Sequence, residues 1–334
     1  MKKIIFTLII LLSFNIPVLA ISVPSNNAIL LDQDSGRVLY SKNINDKHLI
    51  ASTTKIMTAV LAIESGKLDN IVTITEEMTK SHGSGIYISV DEKISLRNLV
   101  YGLLLRSGND AALAIETYLG GHNKFVDMMN KKAKEIGMNN TIFNNSSGLD
   151  DEETGNYSTV YDMALLMKYA NNLYDFREID STKKIIVETN VKTYSWTNKN
   201  KLLFQYKYAN GGKTGYTKKA KRTLVTSASK NDVNLIVVTF NDKDDFNTHK
   251  RLYEYGFNNY KNYLILNKNN IKIKNKKYKK LYIKNNYYYL LSNNERDNIN
   301  IDIKFYDKQK KKKVGYIEVF YKNNSIHKEP IYKK

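Results

Sequence analysis

Ala51-Ser-Thr-Thr-Lys-Ile-Met-Thr-Ala59 places a serine and a lysine three residues apart at the start of a helical pattern. Ile56, Val60 and Ile63 recur at spacings of four and three, which predicts a helix over Thr53–Glu64 stopped by Gly66. Positions i and i+3 share a helix face, so Ser52 and Lys55 project to the same side. A serine hydroxyl is a weak nucleophile and needs a neighbouring base. A lysine can be that base when burial or a second cation destabilises its ammonium. A helix N-terminus adds positive potential and aims backbone N–H groups at an incoming oxyanion. Taken alone, the tetrapeptide fits an N-capping serine with a solvated lysine better, because such patterns recur by chance in long chains.

Two further short patterns follow. Ser107-Gly-Asn109 interrupts an apolar helical run (Ser95–Arg106) before a second helix restarts at Asp110 and continues through Leu119. A hydroxyl there can relay a proton, and an amide can both donate and accept. Lys213-Thr-Gly215 follows Gly211-Gly212 and stands just before two strand-like runs, Thr223–Ser229 and Asn234–Phe240. A lysine and a hydroxyl at a sheet edge can hold a carboxylate, and the glycine lets a ligand backbone lie close. Each pattern singly reads as a cap or a turn.

Working outward, Ala28–Leu31 and Arg37–Tyr40 flank the turn residues Asp32-Gln-Asp-Ser-Gly36 and predict a β-hairpin. Ile71–Ile74 reads as a short strand, Lys124–Ile136 as an amphipathic helix with Gly137 after it, and Asn139–Gly155 as a loop. Ser158 is read as the cap of a helix running to Ala170. Lys183–Tyr206 alternates like strands, and Asp244–Asn258 is a last helix. Strands, then helices, then strands predict an α/β (α+β) fold: a mixed sheet flanked by helices, its first and last strands adjacent.

Beyond about Tyr263 the texture changes. Ile271–Lys274, Leu281–Lys284, Ile299–Tyr306 and Val314–Tyr321 alternate apolar with polar residues, with no helical stretch. This predicts a small all-β C-terminal domain with a hairpin turn at Lys310–Lys313. Residues 261–334 hold 20 of the 52 Lys+Arg and 6 of the 33 Asp+Glu, hence +14 of the net +19. An anionic membrane or wall-polymer surface suits such a domain. The chain's general richness in Lys, Asn, Ile and Tyr offers coding bias as the competing explanation.

At the other end, Met1-Lys2-Lys3, an apolar run Ile4–Phe14 and Val18-Leu19-Ala20 have the layout of a secretory signal peptide cut after Ala20. The expected organisation is 1–20 signal peptide, 21–260 catalytic body and 261–334 basic β-rich domain. The destination is outside the cytoplasm, in the envelope or secreted, which removes nucleic acid as a partner. A hydrophobic content of 42% excludes wholesale disorder. Zero cysteines exclude disulfides, thiolate metal sites and cysteine nucleophiles. Five dispersed histidines (48, 82, 122, 249 and 327) argue against a zinc site.

S-x-x-K, S-x-N and K-T-G, in that order and in those settings, match the set found in serine β-lactamases and penicillin-binding proteins. The chain resembles the serine D-alanyl-D-alanine carboxypeptidases, the low-molecular-mass penicillin-binding proteins. Asp34-Ser-Gly-Arg-Val-Leu-Tyr40, Tyr101-Gly-Leu-Leu-Leu-Arg-Ser-Gly-Asn-Asp-Ala-Ala112, Gly148-Leu-Asp150, Tyr157-Ser-Thr-Val-Tyr-Asp-Met163 and Gly211-Gly-Lys-Thr-Gly-Tyr-Thr217 carry the resemblance, which covers about Val23 to Tyr260. It implies a serine β-lactamase/DD-peptidase-like domain that removes the last residue of peptidoglycan stem peptides ending in D-Ala-D-Ala. It further implies Ser52 as nucleophile, Lys55 as base, Ser107 as proton relay and Asn109 as orienter of the substrate amide. Lys213 and Thr214 would hold the terminal carboxylate beside Gly215. The N–H groups of Ser52 and Tyr216 would form the oxyanion hole. β-Lactams would acylate Ser52 as inhibitors, and no cofactor or metal is implied.

The rivals are a class A-like β-lactamase and a non-catalytic cationic wall-binding protein. The first would use a deacylating glutamate, and Phe143-Asn-Asn-Ser-Ser-Gly148 offers none; Asp150, Glu152 and Glu153 follow outside its pattern, and Glu116 reads as a solvated face residue. Intact motifs argue against the second. Two departures stand out. Lys221 occupies the place of an expected small residue, and the ending Pro330-Ile-Tyr-Lys-Lys334 lacks the apolar or amphipathic anchor common in the family.

Overall fold

The computed structural model describes residues 21–150, 154–270, 273, 277–278, 280–310 and 312–334. The expected signal peptide, Glu152–Glu153, Lys311 and most of the expected strand Ile271–Lys274 lie outside the described residues.

β1 (Asn27–Asp32) and β2 (Val38–Lys42) form the expected hairpin, and β3 (His48–Leu49) leads to a 3₁₀ turn, Ala51–Thr54, that runs into α1 (Lys55–Glu64). β4 (Ile71–Thr73) pairs with β5 (Lys93–Ser95). Then come α2 (Leu96–Arg106), α3 (Asn109–Tyr118) and α4 (His122–Glu135). β6 (Tyr157–Ser158) pairs with β3 and precedes α5 (Val160–Ala170) and α6 (Tyr174–Ser181). The hairpin β7 (Lys184–Glu188) and β8 (Thr193–Thr197) is followed by a short helix, α7 (Leu202–Gln205). β9 (Ala209–Thr217), β10 (Lys221–Lys230), β11 (Val233–Phe240) and α8 (Asp245–Asn259) complete this part.

The central sheet has the order β2-β1-β11-β10-β9, so the first and last strands are neighbours as expected. Its pairings are all antiparallel, a narrower result than the mixed sheet suggested by element order. Hairpin connections join β9, β10 and β11 directly, which dictates that direction. The period of two along each strand divides the core. Ile29 and Leu31 of β1 with Ile236 and Val238 of β11 join the large cluster that holds α1–α6. Ala28 and Leu30 with Leu235 and Val237 join a second cluster with Leu252 and Tyr253 of α8. The sheet is therefore covered on both faces.

The remaining strands are β12 (Lys261–Leu266), β13 (Leu281–Tyr282), β14 (Tyr287–Leu291), β15 (Ile299–Lys310), β16 (Lys313–Tyr321) and β17 (Asn324–Lys333). β12 pairs with β14, and a four-stranded sheet has the order β13-β17-β16-β15 over a small core of its own. A 3₁₀ turn, Asn293–Asn298, stands where no helical segment was expected, fixed by a capping box between Ser292 and Glu295. Arg37, from the first hairpin, reaches this region: it bonds to Leu290 O and Glu295 and lies over the Tyr260, Tyr289 and Tyr321 rings.

Three local expectations are corrected. The α5 cap is Thr159, whose hydroxyl accepts from the Asp162 N–H; Ser158 is engaged in β6. Lys213-Thr-Gly215 stands at the sheet edge as expected, but inside strand β9 itself rather than in a turn before β10, because its partner residues Thr223–Val225 continue the ladder. The stretch to Tyr206 ends in a helical turn rather than a strand.

Candidate active site

Three segments converge on Ser52. The 3₁₀ turn that carries it packs against β9, where Gly215 permits the approach: a Cβ there would meet Thr223 Oγ1 and stand 3.0 Å from Ser52 N. The glycine thus admits the nucleophile's own turn, a need not evident from the sequence. Ala51, just before Ser52, holds φ +47°, a left-handed conformation costly for a residue with a Cβ. Gly148 (φ +81°) lies so near that any Cβ would run into Ala51 O. The Asn144–Gly148 loop is braced by Asn156, whose amide group accepts from Asn144 N (2.7 Å) and donates to Thr54 Oγ1 (2.9 Å).

Lys55 stands at the centre and has no solvent exposure. Its Nζ donates to Ser52 Oγ (2.9 Å), Asn109 Oδ1 (2.7 Å) and Ser147 O (2.5 Å). Among the described residues no carboxylate bonds to it. Asn109, at the start of α3, is oriented by donating to His82 O (2.6 Å). Ser107 is 5% exposed and adopts the left-handed conformation (φ +63°) that ends α2 and turns the chain back toward α3. Asp110 accepts N–H groups from Ile86 and Tyr87 and so fixes the irregular segment that carries them beside α3.

The cleft holds about 330 Å³ and is lined by Ser52, Ser107, Thr214, Gly215 and Tyr216, with Ser84, Lys199, Lys201 and Arg222 around them. Tyr216 is largely exposed on its rim, and Lys221 is not part of its wall. Arg222 is held by Asp245 at 2.7 and 3.0 Å, and Lys199 donates to Ser84 Oγ (3.2 Å). Asp245 also lines the cleft, but Lys199, Lys201 and Arg222 outnumber it and leave the wall cationic, which suits a substrate carrying a carboxylate.

Burial pushes the Lys55 ammonium well below its ordinary value, and nearby Lys213 and Lys199 push it further; Asp110 opposes them weakly. Burial also pushes Lys213 down to about 7, with Lys199 adding to the fall and Asp180 resisting it. Lys213 is 1% exposed and donates to Thr214 O (2.8 Å).

The structure therefore brings together Ser52, Lys55, Ser107, Asn109, Lys213, Thr214, Gly215 and Tyr216. Residues that the sequence did not single out are the Ser147 carbonyl, Ser84, Lys199, Lys201 and Arg222. Ser147 directly precedes Gly148-Leu-Asp150, so that motif was its one available signal. Asp150 accepts from Thr217 Oγ1 (2.8 Å) beside the cleft. Glu116, read as a solvated face residue, is 5% exposed and bonds to His122 Nδ1 (2.9 Å), because the α3–α4 turn folds His122 over it. Among the described residues there is no group of three or more His, Cys, Asp or Glu placed to hold a metal ion.

The family described as D-alanyl-D-alanine carboxypeptidase matches residues 16–244. The D-alanyl-D-alanine carboxypeptidase DacF of Bacillus subtilis is 34% identical over 78% of this chain and 69% of its own length. DacB2 of Mycobacterium tuberculosis is 32% identical over 64% of this chain and 74% of its own. The crystal structure of a D-alanyl-D-alanine carboxypeptidase from Mycobacterium tuberculosis superposes with a TM-score of 0.69 at 29% identity, covering 71% of this chain and 92% of that one. Penicillin binding protein 6B from Escherichia coli superposes at 0.74 and 25% identity over 92% of this chain and 95% of its own. The chain belongs to the D-alanyl-D-alanine carboxypeptidase family, serine-type peptidases of the cell wall.

Proposed function

From that membership, we propose that Ser52 is the nucleophile of a D-Ala-D-Ala carboxypeptidase and that Lys55 is its base. Ser52 Oγ attacks the carbonyl of the penultimate D-alanine while Lys55 takes its proton. The N–H groups of Ser52 and Tyr216 receive the oxyanion, each worth on the order of 3 kcal/mol in comparable sites. Ser107 passes a proton to the departing D-alanine, Asn109 orients the substrate amide, and Lys213 with Thr214 holds the terminal carboxylate. Gly215 keeps β9 close to the Ser52 turn. Water then cleaves the acyl-enzyme and frees the shortened peptide.

One observation carries this reading: Lys55 is fully buried and bonded to Ser52 Oγ, with two lysines nearby and, among the described residues, no carboxylate bonded to it. Burial and neighbouring cations make such a lysine easier to deprotonate, and its neutral amine can then accept a proton from serine. A structural lysine would be paired or solvated.

The test is the intact mass of residues 21–334 incubated with benzylpenicillin, beside Ser52→Ala. A long-lived adduct on the wild type, absent from the variant, is expected. Steady hydrolysis of the drug without an adduct would replace the peptidase by a lactamase.

The finer localisation is part of the same proposal: export through residues 1–20, and adhesion of the basic 261–334 domain to anionic lipid or wall polymer. Among the described residues no helix is long and apolar enough to cross a membrane. Each well-placed lysine would add about 1 kcal/mol at an anionic lipid surface. Replacing the exposed Lys261, Lys284 and Lys322 by glutamine should loosen envelope retention; unchanged fractionation would remove this part.

A further inference from the structure

Lys213 has a neighbour that the reaction described above leaves unused. Asp180 lies near the end of α6, beneath β9, and is 2% exposed. Its carboxylate accepts the Gly212 N–H, and its Oδ2 has no hydrogen-bond partner among the described residues. A Cβ on Gly211 would run into that oxygen. Gly211 and Lys213 are two residues apart on one strand, so they face the same side. The two glycines before Lys213 thereby acquire a reason. Gly211 makes room for the Asp180 carboxylate, and Gly212 (φ +142°) fits against Val225 O and Thr226 of β10.

We propose that Asp180 is a positioning residue for Lys213: its buried carboxylate, below the strand, keeps the lysine charged and aimed at the substrate carboxylate above. This rests on the role proposed for Lys213. The groups facing Lys213 are Lys55 from α1, Lys199 from the segment after β8, and Asp180 from α6. Burial and Lys199 both work against the charge on Lys213, so Asp180 is the one counter-charge among these groups. Facing Asp180 are Lys213 and the Gly212 N–H. Burial pushes the Asp180 carboxyl up to about 7, and these two groups hold it down. A charged Lys213 in turn adds to burial in disfavouring the Lys55 ammonium. One carboxylate thus supports both the carboxylate grip and, at one remove, the base.

The test is the pH profile of Ser52 acylation by benzylpenicillin, measured on the full protein and on Asp180→Asn. In the wild type the acid limb reports Lys55 losing its proton and the alkaline limb Lys213 losing its own. In the variant Lys213 loses its counter-charge, and the alkaline limb should move down by about one pH unit. The second-order rate at pH 8 should fall about tenfold, mainly through weaker binding. The acid limb should move up, because a less charged Lys213 repels a protonated Lys55 less. The profile therefore narrows from both sides. A folded variant whose profile is unchanged, or merely scaled without movement of either limb, would overturn the proposal. Asp180→Ala reads the same quantity should the asparagine not fold, and failure of both to fold would make Asp180 purely structural. Absence of an adduct on the wild type would overturn the role of Ser52 instead.

Discussion

Lys55 and Arg37 are both basic side chains withdrawn from water, one in the cleft and one where the first hairpin meets the C-terminal β region. Around Lys55 stand a hydroxyl, an amide oxygen and a carbonyl, with two further lysines close by. Around Arg37 stand the Glu295 carboxylate at 2.5 Å, the Leu290 carbonyl, the Tyr321 hydroxyl and three tyrosine rings. The first setting favours the neutral form of a group that can lose its proton. The second favours the cation of a group that cannot. Proton transfer and permanent attachment need opposite surroundings, and the residue type at each position matches its surroundings.

The strongest way to break this comparison is to exchange the chemistry at the first site. Lys55→Arg puts a permanent cation where a proton acceptor is proposed. Acylation by benzylpenicillin should fall by on the order of 10³-fold or more, and Lys55→Ala should not restore it. Near-wild-type acylation in either variant would end the assignment of Lys55 as base.

Next in size is the junction. Arg37→Met leaves Glu295 partly buried without its partner, and urea unfolding should show a loss of about 3 kcal/mol. Protein that remains folded should still acylate. Unchanged stability would mean that the tyrosine cage, rather than the ion pair, holds the junction.

A pH titration sharpens the same contrast. Burial works against the Glu295 carboxylate, but Arg37, Tyr321 and the Ser292 N–H outweigh it and bring it down to about 2. A carboxyl depressed in the folded state stabilises above its unfolded value near 4.5 and loses that contribution as pH falls toward 2. Wild-type stability should therefore decline over that window, and the decline should be shallower in Arg37→Met, as followed by thermal unfolding. Equal slopes would remove the pair from the acid response.

The smallest effect concerns Lys199, one of the cations that depress Lys55. Lys199→Ala should move the acid limb of acylation upward by a few tenths of a pH unit, with no change in junction stability. A shift in the opposite direction would contradict the charge arrangement around Lys55.

Much of the fold and site was legible because it is written locally. Ser52 and Lys55 sit one helical turn apart, so the helix alone brings them together. The apolar spacing of α1, the α2 break at Ser107-Gly-Asn109 and the hairpin before Tyr40 follow from short-range propensity. Less legible were groups whose partners lie far along the chain. Ser147 O meets Lys55 across 92 positions, and Arg37 meets Glu295 across 258. Glu116 was misread because its burial depends on the turn into α4, not on its own helix face. Lys213-Thr-Gly215 reads as a sheet edge or a turn from the sequence, and its place within a strand is not legible because edge strands rich in glycine carry little β-pattern.

The sequence by itself determined the chemistry available: three ordered motifs, no thiol, a basic C-terminal region, and helices and strands in an order that closes one sheet. Local geometry and residue type suffice for these. The tertiary structure alone decided what charge each group carries. Burial of Lys55 and Lys213, the cations around them, the carboxylate of Asp180 below β9 and the cage around Arg37 are all long-range facts. Electrostatic energy depends on dielectric surroundings and distance in space, and neither can be read from position along the chain.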